Sequence, residues 1–359
     1  MPNPSPSDVI KREVRDLSAY TLKHVKADVK LDQNENPYEL PADLKREVVD
    51  RVLARPWGRY PEFVPAAITR ALAKFTEWPE DGILVGNGSN ELIQASLTVT
   101  LGPGRRIAIP QPTFTLYKLM ASALQADVAE VFLDSENLTF NVDSLVAAAR
   151  TADVLVLCTP NNPTGTLLER NALVELLKNA KGLVLLDEAY HEFSEQTALP
   201  LLANHPNLVI LRTFSKAMSM AGLRFGYLMA HPDIAREIHK AKLPYNVNIF
   251  TLTAAELVIE KRGLLKEAIQ TLIRERDRVL AELQKRPAVR AFPSKANFVL
   301  IKTERPARDL FEALYAHGVL VRDVSAYPLL DRCLRVSIGL PTENDRFLSA
   351  LDRALENKQ

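Results

Sequence analysis

Between residues 83 and 230, short and largely apolar runs alternate with longer segments in which apolar residues recur every third or fourth position. The runs Ile83–Val85, Arg106–Ile109, Val128–Leu133, Val154–Cys158, Leu183–Leu186, Leu208–Leu211 and Phe225–Ala230 are too short for stable helices. Their lack of polar alternation predicts strands buried on both faces. The segments Leu92–Leu101, the stretch from Tyr117, Val142–Ala149 and Arg170–Ala180 predict helices. Strand and helix alternating at this spacing predict parallel βαβ units, an α/β fold whose ligand sits beyond the carboxyl ends of the strands.

The pattern differs on either side. Residues 1–30 begin with prolines and polar residues and predict an N-terminal arm. Lys30 and Leu31 suggest a strand that gives way to a polar turn at Asn36-Pro37, followed by helices over Pro41–Ala54 and Pro65–Phe75. After Tyr227 come a helix over Phe250–Glu260 and a long amphipathic one over about Leu264–Gln284. Strands at Phe298–Ile301, Leu320–Val324 and Leu334–Ile338, with helices at Ala307–His317 and Asn344–Glu356, predict a smaller α+β unit. The expected division is an arm (1–30), a large domain (31–265) and a small C-terminal domain (266–359), with residues 31–55 a candidate to pack on the small one.

A length of 359 residues suits two domains, and 47% hydrophobic with 25% charged residues suits a soluble globular protein. A net charge of +1 carries no nucleic-acid footprint, and no stretch is long and apolar enough to span a bilayer. The two cysteines, Cys158 and Cys333, sit in apolar runs and read as small core residues in a reducing compartment. The first residues lack the apolar core of a secretory signal, so the expected location is cytoplasmic. No metal-ligand pattern stands out.

Polar chemistry gathers at four strand ends. Gly88-Ser89-Asn90 opens a helix and can offer backbone N–H groups to an anion, although these are also ordinary capping residues. Thr159-Pro160-Asn161-Asn162-Pro163-Thr164-Gly165 sets an amide on a turn stiffened by two prolines. Asp187, after four apolar residues, needs a cationic partner; a protonated pyridine nitrogen, an arginine or a helix N-terminus would each serve. Ser215-Lys216, with Arg224 beyond, places an amine and two phosphate-binding groups at the mouth of a buried strand. Each motif alone has a bland explanation; their order does not.

Asn162-Pro163-Thr164-Gly165, Asp187-Glu188-Ala189-Tyr190 and the Ser215-Lys216 pair with Arg224 resemble the fold-type I pyridoxal-phosphate aminotransferases over about Leu31 to Gly339. Asn34-Glu35-Asn36-Pro37-Tyr38, Arg59-Tyr60-Pro61, the Gly86–Glu91 turn, Pro244-Tyr245-Asn246-Val247-Asn248 and Ala296-Asn297-Phe298 are similar to the histidinol-phosphate aminotransferase branch. Two places depart from the usual pattern: Asn90 stands where an acid is usual, and Ala217-Met218-Ser219-Met220 follows the lysine. The resemblance implies a large domain with a mostly parallel sheet, a smaller α+β domain, and pyridoxal 5′-phosphate held on Lys216. It implies Asp187 at the pyridine nitrogen, Asn162 and Tyr190 at the phenolic oxygen, and Phe114 stacked on the ring. The phosphate falls to Ser89, Asn90, Ser215, Arg224 and, from a neighbouring subunit, Tyr60, which makes a homodimer part of the expectation. Arg335 would bind the substrate carboxylate and, with Arg322 and Tyr20, the substrate phosphate; a surface ion pair with Asp323 is the alternative for Arg322.

The reaction so implied is transamination between L-histidinol phosphate and 2-oxoglutarate in histidine biosynthesis. Alternatives are an aromatic amino-acid aminotransferase and a decarboxylase like that acting on threonine phosphate. A non-catalytic transcriptional regulator is disfavoured by near-zero charge and by the presence of Lys216.

Overall fold

The computed structural model describes residues 6–18 and 26–356. A two-residue strand, β1 (Val29–Lys30), precedes the large sheet. That sheet comprises β2 (Ile83–Gly86), β3 (Arg106–Gln111), β4 (Asp127–Phe132), β5 (Val154–Cys158), β6 (Leu183–Asp187), β7 (Leu208–Thr213) and β8 (Gly226–Ala230). Its order is β2-β8-β7-β6-β5-β3-β4. The strands from β3 to β7 run parallel, whereas β8 is antiparallel to both β7 and β2. The connection between β7 and β8 carries only the Lys216 loop and a 3-10 turn, with no helix to make a crossover, and β8 returns antiparallel.

The unbroken apolar runs are explained by burial on both sides. Along β5, Leu155 and Leu157 join one core cluster while Val154, Val156 and Cys158 join another. Likewise Val184 and Leu186 of β6 face away from Leu185, and Leu208 and Ile210 of β7 face away from Val209 and Leu211. Helices cover both faces, so no strand of this central group can afford a polar alternation.

The C-terminal part holds β9 (Val289–Phe292), β10 (Phe298–Thr303), β11 (Val319–Leu320), β12 (Arg322–Asp323) and β13 (Cys333–Ser337). Four of these form an antiparallel sheet in the order β12-β13-β10-β9, while β11 pairs in parallel with β1. The single strand expected over Leu320–Val324 is therefore two strands in different sheets, broken at Val321. β9 has no counterpart in the expectation from sequence. The long amphipathic helix begins at Lys266 and runs to Gln284, after a separate 3-10 turn over Arg262–Leu265.

Residues 29–55 divide their contacts. Val29 and Leu31 belong to the apolar cluster of the C-terminal sheet. The helix Ala42–Leu53 buries Leu44, Val48 and Val52, a stripe at four-residue spacing, against the helix Ile249–Glu260. The latter is buried nearly all round and is capped by Asn248, whose side chain accepts from the Thr251 N–H at 2.9 Å. Between these two attachments, residues 33–38 bond to groups beyond the carboxyl ends of β6 and β7.

Candidate active site

A cavity of about 260 Å³ opens at those strand ends. Eleven of the residues singled out from sequence line it: Ser89, Asn90, Phe114, Asn162, Asp187, Tyr190, Ser215, Lys216, Arg224, Arg322 and Arg335. Tyr60 does not; it is 82% exposed and stacks on Tyr245 with ring centroids 4.7 Å apart. Tyr20 lies outside the described residues.

Lys216 leaves β7 on a loop that residues 33–38 clasp. Its Nζ donates to the Gln33 carbonyl at 2.8 Å. The Asn36 side chain donates to the Ala217 carbonyl at 3.0 Å, and Ser219 Oγ donates to the Tyr38 carbonyl at 2.7 Å. The lysine faces the cavity and is half-buried, yet the narrow surroundings strip water from its ammonium. Loss of solvation, then the positive charge of Arg335, brings its pKa down to about 7. The amine therefore exchanges a proton near neutral pH.

Asp187 ends β6, its neighbour Glu188 facing the other way. Glu188 forms a buried ion pair with Arg212 at 2.9 Å and accepts from Thr197 and the Ala198 N–H. Asp187 instead accepts from the Tyr117 hydroxyl at 2.7 Å and from the Ala189 N–H at 3.0 Å. Burial pushes its carboxyl up to about 6 despite those two donors. Among the described residues no lysine or arginine forms an ion pair with it, so the arginine that could have explained this carboxylate is absent there. A cationic ring nitrogen in the cavity fits the vacancy in its charge balance, and Phe114, set edge-on to Tyr117 at 5.6 Å, stands beside it.

The other end of the cavity is an anion cradle. The helix Ser89–Thr100 starts three residues earlier than its apolar pattern suggests, which puts Ser89 and Asn90 in its first turn, where N–H groups have no intrahelical partner. Thr213 Oγ1 accepts from the Ser215 N–H at 3.1 Å, and Arg224 Nη1 donates to Ser215 Oγ at 3.0 Å. Two glycines make this approach possible. A Cβ on Gly226 would meet the Ser89 backbone nitrogen at 2.3 Å, and one on Gly88, whose φ is +78°, would meet Arg224 Nη2 at 2.6 Å. Helix N-terminus, hydroxyls and planar guanidinium together suit a phosphate.

Arg335, on β13, donates from Nη1 to Asn162 Oδ1 and from Nη2 to the Asp32 carbonyl, both at 2.6 Å. Its guanidinium carbon lies 5.4 Å from the Phe298 ring centroid. Arg322 sits directly opposite Arg335 in the β12–β13 register. Asp323, the ion-pair partner considered for Arg322, accepts instead from the Ser325 N–H and hydroxyl at 2.9 and 2.7 Å. The Asn162 turn is braced by buried Asn161, which accepts from Thr113 and donates to the Pro112 carbonyl and to Thr164.

Tyr117 and Asn34 bond directly to Asp187 and Tyr190, and the local sequence pattern reveals neither contact. Tyr117 opens an apolar helix, and nothing in that pattern reveals a hydroxyl aimed at Asp187. Asn34 lies in the Asn34–Tyr38 motif, yet its partner, the Tyr190 hydroxyl at 3.0 Å, lies 156 residues away.

Residues 26–351 match the family described as aminotransferase class I and II. The histidinol-phosphate aminotransferase of Chlorobaculum tepidum is 42% identical over 330 residues, covering 91% of this chain and 94% of that protein. The crystal structure of the histidinol-phosphate aminotransferase from Clostridium acetobutylicum has a TM-score of 0.85 at 27% identity, covering 92% of this chain and all of that one (100%). The L-threonine-O-3-phosphate decarboxylase from Porphyromonas gingivalis superposes with a TM-score of 0.82 at 25% identity, covering 92% and 100%. With the family match spanning nearly the whole chain and a curated relative this similar, the chain belongs to the class I and II aminotransferases, in the branch of the histidinol-phosphate aminotransferases.

Proposed function

We propose that the cavity binds pyridoxal 5′-phosphate and moves the amino group of L-histidinol phosphate to 2-oxoglutarate, giving imidazole acetol phosphate and L-glutamate in histidine biosynthesis. The observation that carries this reading is the pairing, in one cavity, of a lysine near neutral pKa with a buried carboxylate lacking an ion-pair partner among the described residues. When bound, pyridoxal phosphate supplies an electron sink at the carbon that loses its proton.

The chain's own groups do the rest. Lys216, with a proton affinity poised near pH 7, takes a proton from the substrate carbon and returns one, the condition under which general acid–base catalysis is efficient. Asp187 holds the ring nitrogen protonated, and Tyr117 and the Ala189 N–H keep its carboxylate aimed. Asn162 and Tyr190 hold the phenolic oxygen, and Phe114 covers the ring. Ser89, Asn90, Ser215 and Arg224 grip the cofactor phosphate. Arg335 takes the carboxylate of glutamate or 2-oxoglutarate, and Arg322 beside it takes the phosphate of the amino substrate, with Tyr20 assigned to the same anion. Two arginines on adjacent strands suit a site that must accept a phosphate in one half-reaction and carboxylates in the other.

The finer organisation is part of the same reading: an arm (1–30), a large domain (31–265), a small domain (266–359), and a cytoplasmic homodimer. Tyr60, Phe63 and Leu243 are 82%, 51% and 69% exposed in one neighbourhood around Tyr245, a surface suited to a second copy that would receive Tyr60 at its own cofactor phosphate. The likeness to a threonine-phosphate decarboxylase favours one second reading, loss of carbon dioxide from a phosphorylated amino acid. Protein loaded with pyridoxal phosphate should show a visible absorbance band and form glutamate from 2-oxoglutarate with L-histidinol phosphate. Lys216→Ala should lose both. Activity retained in Lys216→Ala would refute the assignment, and carbon dioxide release from O-phospho-L-threonine without glutamate formation would favour the decarboxylase.

A further inference from the structure

The Ser337 hydroxyl sets the direction of a hydrogen-bond chain that ends on Tyr190, because it donates to one end of the Asn34 amide. The Asn34 N–H donates to Ser337 Oγ at 2.8 Å. That hydroxyl is then free to give its own proton to Asn34 Oδ1, 2.9 Å away. With Oδ1 serving as acceptor, the other end of the amide is its NH2, and Nδ2 meets the Tyr190 hydroxyl at 3.0 Å. Neither a backbone N–H nor an amide nitrogen can accept, so the chain runs one way, from Asn34 backbone to phenol. The Tyr190 oxygen therefore accepts a hydrogen bond from Asn34 and directs its own O–H elsewhere.

Asn34 is held for this task. Its carbonyl accepts from Asn297 Nδ2 at 3.1 Å, and its φ of 54° lies in the left-handed region that asparagine tolerates better than most residues. Tyr190 is pinned edge-on to Phe298 at 5.3 Å and lines the cavity. We propose that Asn34 is a positioning residue that turns the Tyr190 hydroxyl into a proton donor toward the cavity. Resting on the reading above, the acceptor is the phenolic oxygen of bound pyridoxal phosphate. The groups facing Tyr190 from neighbouring elements are Arg335 on β13, Asp187 at the end of β6 and Cys158 at the end of β5; Lys216 after β7 and Arg322 on β12 share its cavity.

The test is the pH midpoint of the visible absorbance band of the loaded protein, with cofactor occupancy and Tm recorded for each variant. Asn34→Asp keeps the left-handed backbone but offers Tyr190 an acceptor, so the phenol turns its proton away from the cavity. The midpoint should rise by about one pH unit, a tenfold change in proton affinity. Tyr190→Phe should raise it similarly, and Asn34→Asp in the Tyr190→Phe background should add little. An equal shift in both backgrounds would mean a charge acting through space and would overturn the inference. So would an unmoved midpoint in Asn34→Asp. If Asn34→Asp fails to fold, Asn34→Gly is read instead: a midpoint raised only while Tyr190 is present supports the inference, and a native midpoint overturns it. A native protein that takes up pyridoxal phosphate without any visible band would overturn the parent reading, and this inference with it.

Discussion

Lys216 and Asp187 have pKa values displaced toward each other by the same cause, removal of water. Their effects on stability have opposite pH windows. Asp187 binds its proton more tightly folded, at about 6, than at the ordinary value of 3.8, so its contribution to stability is lost as pH rises from about 4 to about 6. Lys216 binds its proton less tightly folded, at about 7 against 10.5, so the folded protein gains relative stability as pH rises from about 7 to about 10. In cofactor-free protein, the Tm difference between native and Asp187→Asn should therefore change between pH 4 and 6, with native losing ground. A flat difference would contradict the burial argument. In turnover, Asp187→Asn should lower kcat by about 10²- to 10³-fold, the scale of losing a preorganised electrostatic partner. Arg322→Ala should lower kcat/KM for a phosphorylated donor by about 10- to 100-fold, as expected for a lost charged hydrogen bond. It should spare glutamate more, and equal losses would remove Arg322 from donor recognition.

At the level of elements, the parts of the site visible in advance were those at strand ends. Asn162, Asp187 and Ser215-Lys216 each interrupt an apolar run, and a polar group in that place needs a reason whatever the fold. The central alternation was equally legible, because apolar runs too short for helices, set between amphipathic segments, are the pattern of strands covered on both faces. Pairings between distant segments were not legible. β11 and β12 read as one strand because their partners, β1 and β13, are invisible locally. β9 is a short strand with an exposed arginine inside it, and local pattern gave no reason to expect it. Tyr117 and Asn34 escaped notice for the same reason, since each acts through one hydrogen bond to a residue 70 or more positions away. The helix Ser89–Thr100 and strand β8 make the sharpest test of the anion cradle. Gly226→Ala drives a methyl group into the Ser89 backbone, so it should weaken pyridoxal phosphate binding by about tenfold and cost about 1–3 kcal/mol of stability. An unchanged affinity by titration of the cofactor would place the phosphate elsewhere.

For the whole molecule, the exposed aromatic neighbourhood of Tyr60 stands apart from the cavity of its own chain. The proposed homodimer resolves that separation by giving Tyr60 a cavity on the partner. Light scattering should then report twice the chain mass of 40.1 kDa. Tyr60→Phe should weaken cofactor retention without changing that mass; unchanged retention would leave Tyr60 a surface residue. The most direct measurement of the amino donor is kcat/KM for L-histidinol phosphate, phenylalanine, tyrosine and O-phospho-L-threonine, each with 2-oxoglutarate as acceptor and with carbon dioxide monitored in parallel. L-histidinol phosphate should be preferred, with glutamate formed and no carbon dioxide; preference for an aromatic donor, or carbon dioxide release without glutamate, would contradict the proposed transamination.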